Sequence, residues 1–192
     1  LAINPKGIVP SLDLDGEIIT ESASIIKKLN TLDGENNMDL WPADVDQVKL
    51  NAWVDDTTLT DGVPLGKTIG TAIPPFSLIL INFMVKKYLS IFQAIKVFWK
   101  HPLRERGRFF LIMKFFNIQK PVTVRCYKVL VESLLEIEDN LEDSGPYFLG
   151  KFSHIDINLM FCFHRLTDVK LVKILEIEEL PNINKYWELL KS

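Results

Sequence analysis

The sequence is poor in the residues that staple small proteins or build metal centres. Two cysteines, Cys126 and Cys162, in 192 residues exclude a disulfide framework. Each stands in an apolar, helix-like run, so both read as buried small hydrophobes, and a reducing, cytoplasmic setting fits. The three histidines, His101, His154 and His164, show no ligand spacing, and zinc needs about four convergent ligands, so no metal is expected. His154 follows a serine suited to cap a helix and reads as exposed; His164 reads as lying on a helix surface. Positive charge is not in excess either. A net charge of −3 gives no electrostatic reason to expect nucleic acid. The local basic cluster Lys96, Lys100, Arg104, Arg106 and Arg108 reads as a solvated helix face.

Long apolar runs are missing as well. The longest, "IPPFSLILINFMV" from Ile73 to Val85, ends at Lys86 and Lys87, well short of the roughly 20 residues needed to cross a bilayer. The following "YLSIFQAIKVFW" keeps helical spacing, so 75–99 is predicted to be a buried or amphipathic helix; a membrane is not the expected partner, and a membrane-associated segment here is the minority alternative. No signal peptide, internal repeat or low-complexity tract is visible. "GKTIG" at Gly66 lacks the spaced first glycine of a phosphate-binding loop.

What is present is a globular composition, 47% hydrophobic and 24% charged, in a chain long enough to bury a sizeable core. Val9 to Leu14 is β-like, Asp13 to Gly16 supplies a turn, and Ile18 and Ile19 continue as a second strand, which together predict a hairpin. Ala23 to Leu29 is helical, with Thr20 or Ser22 as cap and Glu21 suited to the positive helix end. "TLDGENNMDLWP" is polar and turn-rich, which predicts a linker over 33–44 between residues 1–32 and a helical domain over 45–192. Asp44 to Leu59 reads as a helix with Val45, Val48, Ala52 and Trp53 on one face; "DGVPLGKTIGTAIPP" reads as a mobile loop. Leu103 to Phe116 and a helix beginning near Pro121 follow, the latter with Val129, Leu130, Leu134, Leu135 and Ile137 as core. Ser153 and Asp156 have capping-box spacing, each able to satisfy the other's backbone N–H.

Four segments together resemble the glutathione transferase family of the soluble type. "NPKGIVPSL" is similar to its "NPxGxVPxL" loop and "ITESASI" to its "ltESxaI"; "LWPADVDQVKLNAWVDD" is similar to the opening of its helical domain, and "PYFLGKFSHIDINLMFCF" to its "fLxGxxxSxADi" signature. Ile155 stands where the family usually has alanine, which suggests a divergent member. The resemblance implies a fold that is part thioredoxin-like and then all-helical. It implies a cis Val9–Pro10 bond, with the backbone of Val9 and Pro10 clamping glutathione in strand fashion. Glu21 and Ser22 would meet the γ-glutamyl end, where a helix N-terminus favours a carboxylate. It also implies a strand-helix-strand unit before Asn4, so about 40–50 residues of that domain are expected to lie outside this sequence. The thiol-activating Tyr, Ser or Cys would belong to that unit, which leaves the catalytic residue unknown.

The apolar segment 60–119 is longer than a minimal helical domain needs. It can enlarge a pocket for hydrophobic substrates, with Trp53, Thr57 and Leu65 as candidate lining, or serve as extra core or a subunit interface. The expected activity is therefore glutathione transfer to a hydrophobic electrophile, with glutathione as co-substrate and a homodimer as assembly. The alternative is a module that kept the fold for binding or structure and does no chemistry.

Overall fold

The computed structural model describes residues 4, 9–32, 38–59, 62–101, 104–116 and 119–192. Gly7 of the opening loop and positions 33–37 of the expected linker lie outside the described residues. The hairpin pairs β1 (Ser11–Leu14) with β2 (Glu17–Thr20) antiparallel, Ser11 opposite Thr20 and Leu14 opposite Glu17. Its two-residue turn, Asp15 (φ 52°) and Gly16 (φ 90°), lies in the left-handed region on both sides, as the twist of a tight hairpin requires. The Gly16 N–H donates to the Asp13 carboxylate at 2.9 Å. Helix α1 (Ser22–Asn30) buries Ile25 and is tied to the hairpin by Lys28 and Glu17 at 3.0 Å.

The remainder is helical: α2 (Gln47–Thr57), α3 (Ile69–Ala72), α4 (Pro74–Tyr88), α5 (Ile91–Trp99), α6 (Arg104–Phe115), α7 (Gln119–Ser144), α8 (His154–Asp168), a 3-10 turn at Val172–Glu176 and α9 (Pro181–Lys191). A two-stranded remnant of a thioredoxin-like layer followed by an all-helical body is the fold class that the sequence implies. The core joins α7, through Leu130, Leu134, Ile137 and Leu141, to Ile155, Leu159, Phe163 and Leu166 of α8, with Leu50 and Trp53 of α2 and Ile183 and Trp187 of α9 closing it. Each fully buried Leu or Phe there contributes roughly 1.5–3 kcal/mol. Glu138, buried on α7, accepts from the Asn182 and Ile183 N–H groups at 2.9 and 2.8 Å. A carboxylate from one helix thus satisfies the free N-terminus of another.

Several expectations are corrected. The buried face of α2 is Leu50, Trp53, Val54 and Thr57, while Val48 is 82% exposed and Ala52 is exposed too; the face is selected by packing against α8, and the helix starts after Asp46, which caps it. On α7 Leu135 is half exposed, one position off the 130–134–137–141 stripe. The glycine- and proline-rich stretch before α4 is no open loop. Thr68 caps α3, whose four residues are all buried, and Pro74 and Pro75 open α4, where proline loses no hydrogen bond. Gly70 is required there, since a Cβ would meet the Thr57 carbonyl group at 2.6 Å. The predicted 75–99 helix is two helices, because Ser90 leaves the helical conformation and caps α5 reciprocally with Gln93. Finally, the run Ile69–Tyr88 is by length and composition apolar enough to cross a bilayer, but half of it is buried inside the fold.

Helices α5 and α6 form a close pair. A Cβ on Gly107 would lie 2.2 Å from the Phe98 carbonyl oxygen, so glycine is what permits this approach. Lys114 of α6 donates to the Val85 and Lys86 carbonyls at 3.0 Å each and to the Leu89 carbonyl. It thereby caps the C-terminal end of α4 with a cation.

Candidate functional site

The hairpin register brings the two ends of the opening motif together. Ser11 opposite Thr20 sets Val9 and Pro10 beside Glu21 and Ser22 at one end of the ladder. The Val9–Pro10 bond is cis, and Val9 is 86% exposed. The N-cap of α1 is Glu21, in the left-handed region at φ 73°, and its side chain makes no capping hydrogen bond. The expected cap by Thr20 or Ser22 is therefore not found. The first N–H groups of α1 have no capping side chain, which leaves them available to an anion.

Ser22 faces a cleft of about 240 Å³ whose other walls come from α2, α4 and α8: Thr57, Thr58, Ile73, Pro74, Asn158, Phe161, Cys162 and Arg165 line it. The Asn158 amide donates to the hydroxyls of Thr57 at 3.0 Å and Thr58 at 3.2 Å. The Thr57 hydroxyl donates to the Trp53 carbonyl at 2.6 Å. Arg165 is oriented by Asp168 at 3.0 Å and donates to Ser77 at 2.9 Å. The cleft is therefore a junction, with a helix N-terminus and an arginine on one rim and the exposed ring of Phe161 on another.

The three residues expected to line a hydrophobic pocket are not brought together. Thr57 lines the cleft. Trp53 is buried and packs edge-on against Phe148 with ring centroids 4.7 Å apart, so it belongs to the core. Leu65 lines a separate cavity of about 560 Å³ with Pro74, Pro75, Leu78, His101, Phe109 and Phe110. Pro74 is common to both cavities, so the two spaces adjoin. Asn158, Phe161 and Arg165 were not anticipated. Their signal is their spacing, i, i+3 and i+7, which sets Asn158, Phe161 and Arg165 on one face of α8.

At the start of α8, Asp156 accepts from the Ser153 N–H at 2.8 Å, the Ser153 hydroxyl at 3.1 Å, the Phe148 N–H at 3.0 Å and the Tyr186 hydroxyl at 2.6 Å. The carboxylate thus ties three parts of the fold together: the start of α8, the segment at Phe148, and α9. Burial raises its pKa despite these donors, and burial next to Asp156 raises that of Tyr186. His154 is fully buried, contrary to expectation, because its backbone N–H bonds the Leu40 carbonyl at 3.0 Å and draws the ring under Trp41. Cys162 is held by burial as a neutral thiol, its pKa pushed up to about 12, and burial raises that of Cys126 too. Neither is placed as a nucleophile. Among the described residues no cluster of metal-ligating side chains occurs.

Residues 1–37 match a family model described as the glutathione S-transferase N-terminal domain, which supports the resemblance carried by the opening loop and helix. No curated protein and no solved structure matches the chain.

Proposed function

We propose, from the match of residues 1–37 to the glutathione S-transferase N-terminal domain, that this protein transfers glutathione to a hydrophobic electrophile. The observation that carries the reading is the uncapped N-terminus of α1, with Ser22 opening on a cleft walled by the helical body. A peptide carboxylate finds free N–H groups, a helix dipole and the Ser22 hydroxyl there. Glu21 supplies the opposite charge for the ligand's ammonium. The exposed backbone at Val9 and Pro10 can hold the cysteinyl part in strand fashion. The thiolate would then form a carbon–sulfur bond with an electrophile lodged against Phe161 or in the adjoining apolar cavity, as the leaving group departs. The group that stabilises the thiolate is not among the residues assigned here.

The test is binding to immobilised glutathione and titration calorimetry of the protein. Ser22→Ala and Glu21→Gln are expected to weaken binding roughly tenfold each, as for lost charge-assisted hydrogen bonds, with unchanged thermal unfolding. Glutamine is chosen over alanine at position 21 so that the charge is removed while the long side chain is retained. Absence of binding at millimolar glutathione in the wild type would refute the proposal. It would favour the second reading, a transferase-like binding module, which the broad apolar face of α4–α6 recommends: Phe83, Tyr88, Phe92 and Trp99 are each more than half exposed.

A further inference from the structure

We infer that the α5–α6 pair is a docking surface for an anionic lipid bilayer, a role separate from the glutathione cleft. On α5, Phe92, Ile95 and Trp99 are 85%, 41% and 74% exposed. They recur at i, i+3 and i+7, so they form one outward stripe. Among the described residues α6 is the one element against which α5 packs extensively, which leaves this stripe without cover. Lys96 stands one turn from both Phe92 and Trp99, at the edge of the stripe. Across the groove, Arg104 and Arg108 lie one turn apart on α6 and, with Trp99, line an apolar slot of about 200 Å³.

Charge selects the occupant. Lys96, Lys100, Arg104 and Arg108 are all exposed on or beside α5 and α6, with Glu105 the one acidic residue from 86 to 120, in a protein of net charge −3. The surface therefore asks for an anionic partner with an apolar interior. A second copy does not fit, because a two-fold interface would set the same basic residues against themselves. A nucleic acid offers phosphates but no apolar phase for Ile95 and its neighbours. A bilayer interface rich in acidic headgroups offers both, with aromatic rings at the acyl boundary and basic side chains at the phosphates. From the sequence a membrane-associated segment over 75–99 is only the minority alternative, because the apolar run there is too short to span a bilayer. At nine residues, about 14 Å, α5 is too short to cross, but an interfacial helix needs only to lie in the surface.

The test is flotation of the protein with vesicles of phosphatidylcholine alone and of phosphatidylcholine mixed with phosphatidylserine. Binding is expected to the mixed vesicles, to weaken with salt, and to be nearly absent on neutral ones. Phe92→Ser with Trp99→Ser should abolish it. Arg104→Gln with Arg108→Gln should lower the partition roughly thirtyfold, from the attraction per basic residue near such a surface. Val48→Ser, an exposed apolar change on α2, should leave it unaltered, and circular dichroism of every variant should match the wild type. Equal binding to both vesicle types, no vesicle binding, or a concentration-dependent dimer that Phe92→Ser with Trp99→Ser disperses would each overturn the inference.

Discussion

Acid should destabilise this protein through one side chain, His154. The residue opens α8, is fully buried, and lies 4.7 Å from the Trp41 ring. Neither ring nitrogen has a hydrogen-bond partner among the described residues. Burial pushes its pKa from 6.5 down to about 4, and a cation at a helix N-terminus would be disfavoured in any case. The native state therefore keeps His154 neutral where the unfolded chain is already protonated. Stability is complete above about pH 6.5, falls as pH drops, and stops falling below about 4, at a total loss of about 3 kcal/mol. By about pH 4.5 the loss should already reach about 2.5 kcal/mol, a large part of the 5–15 kcal/mol typical of a domain. The measurement is urea unfolding at about pH 7.5 and about pH 4.5 for the wild type and His154→Leu. The variant cannot titrate, so its stability should drop by about 2.5 kcal/mol less over that interval. Half-buried Asp56 and buried Asp156 have raised pKa values and gain native-state stability as pH falls, but they do so in both proteins and cancel in the difference. At neutral pH leucine replaces an unsatisfied polar ring and should be no less stable than the wild type. If the two proteins lose equal stability between those pH values, the assignment is wrong.

Three further outcomes follow from the same structure. Asp156→Ala strands the Phe148 and Ser153 N–H groups and the Tyr186 hydroxyl, and should lower unfolding free energy by at least about 3 kcal/mol, whereas Tyr186→Phe should lose about 1.5–3 kcal/mol for one bond to a charged group; chemical denaturation reads both. Gly107→Ala drives a methyl into the Phe98 carbonyl 2.2 Å away and should cost about 1–3 kcal/mol, visible as a loss of near-ultraviolet signal from Trp99 and its neighbours at full helix content. Cys126 and Cys162 should stay unmodified by a thiol reagent in the native protein and react together once urea unfolds it, because burial keeps both as thiols.

The parts of this fold legible in the sequence are those written in local chemistry. Asp13 to Gly16 spells a hairpin turn, and the spacing of Leu130, Leu134, Ile137 and Leu141 spells a buried stripe. The parts that were not legible depend on distant partners. Nothing near His154 reveals that Leu40 will take its backbone N–H. Nothing in "GKTIG" reveals that Gly70 must admit the end of α2, though that contact turns an apparent loop into a buried helical turn. The α2 stripe is not legible locally because Val48, Leu50, Ala52, Trp53 and Val54 offer more than one apolar face, and only packing against α8 selects Leu50, Trp53 and Val54. At the candidate site, Ser22 follows from motif and spacing, while Asn158, Phe161 and Arg165 join it only once α8 is folded beneath α2.

The junction that builds the cleft also passes through His154. The Leu40 N–H donates to the Asn30 side chain at 2.9 Å, and the Leu40 carbonyl accepts from the His154 N–H at 3.0 Å. The Trp41 ring has both the Lys27 ammonium, 5.9 Å from its centre, and the His154 imidazole, 4.7 Å away, as neighbours. One short segment thus fastens the C-terminal half of α1 to the first turn of α8. Ser22 at the other end of α1 faces Asn158, one turn further along α8, because of this fastening. A charge on His154 would act first on Trp41 and Leu40, and so on the angle at which α1 meets the helical body. If glutathione binds at that mouth, its affinity should therefore weaken on acidification before the helical core unfolds, and His154→Leu should delay that weakening to lower pH. Calorimetric titration beside circular dichroism at each pH separates the two events. Loss of binding and loss of helix at one common midpoint in both proteins would mean that the junction has no behaviour of its own.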